Sequence, residues 1–163
     1  MIVGVAGIIL LSVGAVILTL LTWTDVREFR LPDRLNALLA GCGLLFNATS
    51  GMPLTRIEDA AIGAVAGTAV LWGLREIFWR LRGRDGLGLG DIKFVAAASC
   101  WVGWQGLPMV ILVGSLATIV VTILAGLIVR RGGVGATTVL PFGPGLCGGL
   151  AATMLWLLSS VSA

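Results

Sequence analysis

The sequence predicts an all-α fold: a polytopic bundle of about six transmembrane helices, one integral-membrane domain over residues 1–163, with both termini on the outer side. Three observations predict it. Hydrophobic residues make up 58% of the chain and charged residues 12%, roughly half the charged share of a soluble domain. The apolar residues gather into long stretches separated by short polar breaks. The basic residues, finally, sit almost entirely in alternate breaks. With a mean hydropathy of +1.05, so short a chain cannot hide its apolar surface from water by packing, whereas lipid solvates it.

The stretches follow in order. The first runs from about Ile2 to Thr24, with Asp25 as the first charge. No positive region precedes it and no polar cleavage region follows, so it is expected to be a retained membrane helix and not a signal peptide. The second spans about Leu35 to Ala48, the third Ala60 to Phe78, the fourth Ile92 to Trp104, the fifth Leu107 to Val129 and the last Val139 to Leu158. A spanning helix needs about 20 residues, and the second and fourth fall short of that. Glu58 and Asp59 belong to the first turn of the third helix, where acids favour the exposed backbone N–H groups. Gly63 and Gly67 form a GxxxG pair that allows close helix contact. Packing within the chain is the expected use, and a homodimer contact is the alternative.

Charge tests this layout independently. Arg27, Arg30 and Arg34 lie between the first two stretches, Arg75, Arg80, Arg82, Arg84 and Lys93 around the break between the third and fourth, and Arg130 and Arg131 between the fifth and sixth. Only Arg56 falls in the other set. The positive-inside rule places the basic breaks in the cytoplasm of a bacterial inner membrane. Trp23 and Trp79 then fall near the inner edge and Trp101, Trp104 and Trp156 near the outer edge, as interfacial belts do, while Trp72 lies deeper. The formal charge of +3 therefore reads as topology, and nucleic acid is not an expected partner.

The composition also excludes chemistry. The chain has no histidine, which removes His-based triads and His-ligated metals. Cys42, Cys100 and Cys147 stand apart in apolar surroundings with no CxxC pair, and read as buried thiols. No metal or cofactor is expected.

Two aspartates stand out among the acids. Asp25 closes the first stretch, and Asp91 opens the fourth within Gly86-Leu87-Gly88-Leu89-Gly90-Asp91-Ile92-Lys93. The topology puts both at cytoplasmic helix ends and similar depth. An ionisable group there is costly unless it faces protein or a water-filled cavity, although either residue alone could mark an interface. The glycine run is neither GxGxxG nor a P-loop. It allows tight backbone and close approach of another chain; a hinge at the helix start is the plainer use. Two facing carboxylates repel and hold one shared proton. The ionised member can take a proton from water while the protonated member polarises a scissile carbonyl. With no histidine and no Ser–Lys signature, this is the leading hydrolytic scheme.

These residues resemble a known family. Gly88-Leu89-Gly90-Asp91 matches the GxGD motif of the type IV prepilin leader peptidases, membrane aspartic proteases, and Lys93 matches the lysine that follows it. Asp25, Arg27, Arg30, Leu31, Pro32 and Asp33 match the family's first site. Pro141-Phe142-Gly143-Pro144 resembles its proline–glycine motif in the last helix. The resemblance implies that Asp25 and Asp91 are the catalytic pair, with Gly88, Gly90, Lys93, Arg27, Pro32, Pro141, Gly143 and Pro144 as supporting positions. It implies a prepilin or pseudopilin precursor as substrate, with a transmembrane helix and a short basic leader cut at the cytoplasmic face. Larger relatives in the family also methylate the new N-terminus through a region with paired cysteines. The resemblance here is to the short, peptidase-only form, without methyl transfer.

Supporting roles follow. Lys93 is expected one step from Asp91, tuning its charge. Pro141 and Pro144 are expected to break the last helix near the active face. Asp33, Glu28 or Asp85, or anionic lipid headgroups, would offset the basic leader. The alternative outside proteolysis is a transport or channel component whose intramembrane carboxylates line an ion path.

Overall fold

The computed structural model describes residues 4–51, 53–83, 88–128 and 142–162. Arg84, Asp85, Gly86, Leu87, Arg130, Arg131 and Pro141, all used in the sequence reading, lie outside them. Five helices form: α1 (Val5–Glu28), α2 (Asp33–Thr49), α3 (Ile57–Arg82), α4 (Leu89–Ile128) and α5 (Gly143–Ser162). Among the described residues, three helices are long and apolar enough to cross a membrane: Val5–Glu28, Ile57–Arg82 and Leu89–Leu124. The chain is a multi-span helical membrane protein.

Five labelled helices hold the six apolar stretches, since the fourth and fifth expected stretches are the two arms of α4. A straight helix of its 40 residues would be about 60 Å long, twice the hydrocarbon thickness of about 30 Å. The chain reverses instead at Gly103, whose φ of 67° and ψ of −177° are not helical. Only glycine adopts that backbone readily, and a Cβ there would also run into Thr55 and Asp59. The contacts with α3 show the reversal. Gly63 lies against both Ser99 and Trp104, and Gly67 against both Val95 and Leu107. The arm before Gly103 therefore runs antiparallel to α3, and the arm after it runs parallel. The GxxxG pair is used inside the chain, as expected.

A broken helix strands carbonyls. Asn47, at the end of α2, donates its side-chain amide to the carbonyls of Cys100 (2.9 Å) and Trp101 (3.2 Å). The same side chain accepts the backbone N–H groups of Leu54 (2.7 Å) and Thr55 (3.1 Å) through Oδ1. One residue thus ties the α2–α3 loop to the break in α4.

The first arm of α4 is the centre of the molecule. Phe94, Val95, Ala97, Ala98, Trp101 and Val102 on it are buried, with α2, α3 and α5 packed around the helix. An enclosed arm needs no lipid-facing length, which explains its short apolar stretch. Trp101 corrects the interfacial assignment. It is 0% exposed, stacks with Phe46 at 5.6 Å, and donates its indole N–H to the Leu39 carbonyl at 2.8 Å. Trp23, Trp72, Trp79, Trp104 and Trp156 are exposed.

The helix ends sort to two sides. Gly4 donates to the Ser50 carbonyl, so the start of α1 meets the end of α2. Gly143 meets Asp25, and Gly90 meets Leu31, so the end of α1 and the starts of α2, α4 and α5 share the opposite side, called here the aspartate end. α3 begins as expected at the far end, with Glu58 and Asp59 in its first turn. It stops at Gly83, which has φ 62°.

Candidate active site

Asp25 sits in the last turn of α1. The helix stops just after it, where Phe29 turns left-handed and donates its N–H to the Asp25 carbonyl. The side chain is buried, 6% exposed, and aims at the first turn of α5. There the Gly143 N–H donates to Asp25 Oδ2 at 2.9 Å. A helix N-terminus offers unpaired N–H groups and a partial positive charge, and a carboxylate suits both. Residue 143 must be small, since a Cβ there would lie 2.6 Å from Asp25 Oδ2.

Asp91 occupies the first turn of α4 and is half-buried. Its Oδ2 lies over Gly88, 3.0 Å from where a Cβ would stand. Gly90 is pressed by Leu31, also at 3.0 Å. The motif's two glycines thus serve different neighbours: one clears the carboxylate, the other admits the α1–α2 connection. Asp25 at the end of α1 and Asp91 at the start of α4 stand at the same end of the bundle, with the first turns of α5 beside Asp25. Cys147, one turn after Gly143, is buried and faces the last turns of α1 near Thr22. The sequence reading classed it only as a buried thiol. Its place beside the aspartates could have been found by setting Gly143 against Asp25, since Thr22 and Cys147 are then one turn away on facing helices.

The supporting positions divide. Gly88, Gly90 and Gly143 shape the site directly. Lys93 does not turn to Asp91 as expected. Its Nζ binds both carboxylate oxygens of Asp33 at 2.7 Å, because residues two apart on a helix point to nearly opposite sides. Pro32 precedes α2, and its carbonyl accepts the N–H groups of Leu35 and Asn36. Arg27 stacks over Trp23 at 4.3 Å on the exposed side. Among the described residues Pro144 does not interrupt the last helix, and the break expected at Pro141 lies outside them. Pro144 lies in the first turn of α5, where its missing N–H would have had no partner.

Two carboxylates from different helices therefore stand at the same end of the bundle, one capped by a helix N-terminus and the other half-buried. The chain matches the type IV leader peptidase family over residues 12–123. That stretch carries both aspartates and the GxGD motif. The chain belongs to the type IV leader peptidase family. It is 44% identical over 122 residues to the prepilin leader peptidase/N-methyltransferase of Escherichia coli (strain K12), covering 75% of this chain and 52% of that protein. The protein of the same name from Aeromonas hydrophila is 41% identical over 140 residues, 86% of this chain and 47% of the relative. That of Aeromonas salmonicida (strain A449) is 43% identical over 141 residues, 86% and 46%. The chain spans about half the length of these curated relatives. No solved structure matches it. The Gly143 contact lies outside the residues matched to the family, and the geometry adds what the resemblance did not say, that its N–H holds Asp25.

Proposed function

We propose that this leader peptidase family member is an aspartic endopeptidase that removes the short basic leader from type IV prepilin-like precursors at the cytoplasmic face of the bacterial inner membrane. What supports the reading is the position of Asp25 and Asp91 at the same end of the bundle, in a chain of this family. The pair holds one proton between its members. Water reaches the site on the half-buried side of Asp91. The ionised carboxylate takes a proton from that water as its oxygen attacks the scissile carbonyl carbon. The protonated carboxyl hydrogen-bonds the carbonyl oxygen as charge develops there. When the C–N bond breaks, the leaving amine takes a proton from the carboxyl pair, which returns to its starting charge. The Gly143 N–H holds Asp25 in place throughout.

Substrate chemistry fits the surroundings. The precursor supplies a membrane helix and a basic leader. Arg30, Arg34, Arg80, Arg82 and Lys93 lie at the aspartate end and Arg56 at the far end, so the positive-inside rule turns the pair toward the cytoplasm. The leader is then held by anionic headgroups, with like charges on the enzyme repelling it only locally. The methyl transfer in the relatives' names is not extended to this chain.

The test is co-expression with a precursor carrying a basic leader and a membrane helix, read by mass. Loss of the leader mass, with a new N-terminus at the leader–helix boundary, is the expected result. An intact precursor, together with ion or solute flux that depends on the chain, would instead favour the transport reading.

A further inference from the structure

α2 and α3 both pack on α4 but barely touch one another. Between them opens a cleft of about 410 Å³, floored by Ala96, Ala97 and Cys100 of α4 and walled by small residues such as Ala37, Ala40 and Ala64. Asp33 and Lys93, ion-paired, stand at its aspartate end. Asn36 lines the same cleft. It is 4% exposed, and neither its amide nitrogen nor its amide oxygen has a hydrogen-bond partner. Every other buried polar side chain described above is paired. An amide left unpaired in a buried place costs free energy, and a partner that binds there recovers it.

The amide asks for an acceptor and a donor together. A hydrocarbon tail offers neither. A membrane helix has already spent its main-chain groups on itself. An extended peptide offers both on one edge, as one strand residue offers them to its neighbour. Asp33 and Lys93 place the aspartate end of the cleft beside the first turns of α4, the helix that carries Asp91 in its first turn, so a chain leaving the cleft there has to round α4 to reach the carboxylate.

We infer that the α2–α3 cleft is a binding site for the extended segment of the precursor next to its scissile bond, with the Asn36 amide, shut off beside the cleft in this structure, rotating into it to bind that segment's main chain. This rests on the leader peptidase reading. Alanine walls suit it, since they leave space without selecting any one side chain, and main-chain recognition tolerates precursors of different sequence.

The test is steady-state cleavage of a purified precursor by the full chain in lipid nanodiscs, comparing wild type, Asn36→Leu and Ala64→Trp, with thermal midpoints for each. Asn36→Leu removes an unpaired amide at similar volume, so its midpoint is expected to hold or rise while KM rises about tenfold and kcat stays within about twofold. Ala64→Trp fills the cleft and is expected to raise KM in the same way. Wild-type KM in both variants, with wild type active, overturns the cleft and leaves the peptidase reading standing. A higher KM accompanied by a lower midpoint in both variants overturns it too, as a structural role would. No cleavage by wild type overturns the underlying reading and the cleft with it.

Discussion

Gly143 shows how tightly the candidate site is built at the scale of one residue. Its N–H holds Asp25 and its missing side chain makes the approach possible. Gly143→Ala is expected to displace the carboxylate and lower the cleavage rate about a hundredfold, as misplacement by about 1 Å does elsewhere. Initial rates beside a thermal midpoint check this, and a wild-type rate would show that the contact is dispensable. Lys93 gives the opposite case. Its pair with Asp33 has side chains 50% and 71% exposed, and such pairs contribute at most about 1 kcal/mol. Lys93→Met is therefore expected to leave stability within that range in a denaturation series. Asp25, Asp91 and the glycines were legible in the sequence because the motif is read by order and spacing. The Lys93 partner was not, since a motif does not say which side of the helix a residue faces. Asn36 gave no signal at all: one amide in an apolar helix is noticed only when its neighbours are known.

At the scale of elements, the apolar stretches were visible and the break between the fourth and fifth falls beside Gly103, but the enclosure of the fourth by protein was not. Hydropathy counts stretches and cannot tell an arm enclosed by protein from one facing lipid. The short fourth stretch looked like a weak membrane helix, and Trp101 like a belt residue, because both readings assumed lipid around them. The break at Gly103 needed its φ of 67°, which composition does not supply in a chain with 24 glycines. Gly103→Ala is expected to cost about 1–3 kcal/mol, before any clash with Thr55 is counted. Asn47→Leu leaves two carbonyls and two N–H groups without their partner and is expected to cost at least about 2 kcal/mol. Unfolding of each variant in detergent, against wild type, measures both. An unchanged midpoint for Asn47→Leu would mean that other groups satisfy the break.

For the whole molecule, charge placement joins the fold to the function. The aspartate end gathers the basic residues, so the two carboxylates should face the cytoplasm. Arg30→Cys is then expected to react with a membrane-impermeant thiol reagent only after cells are opened, and Arg56→Cys in intact spheroplasts; the reverse pattern would put the site on the wrong side for a cytoplasmic leader. The sequence carried this charge asymmetry plainly, because loop charge is a one-dimensional signal. It could not show that helices far apart in the chain, α1, α4 and α5, converge on one spot. The central claim is that Asp25 and Asp91 act as one hydrolytic pair. The most direct measurement is cleavage of one precursor by wild type, Asp25→Asn and Asp91→Asn at matched membrane levels. The account predicts cleavage by wild type and by neither variant. Cleavage that persists in either variant at near the wild-type rate would contradict it.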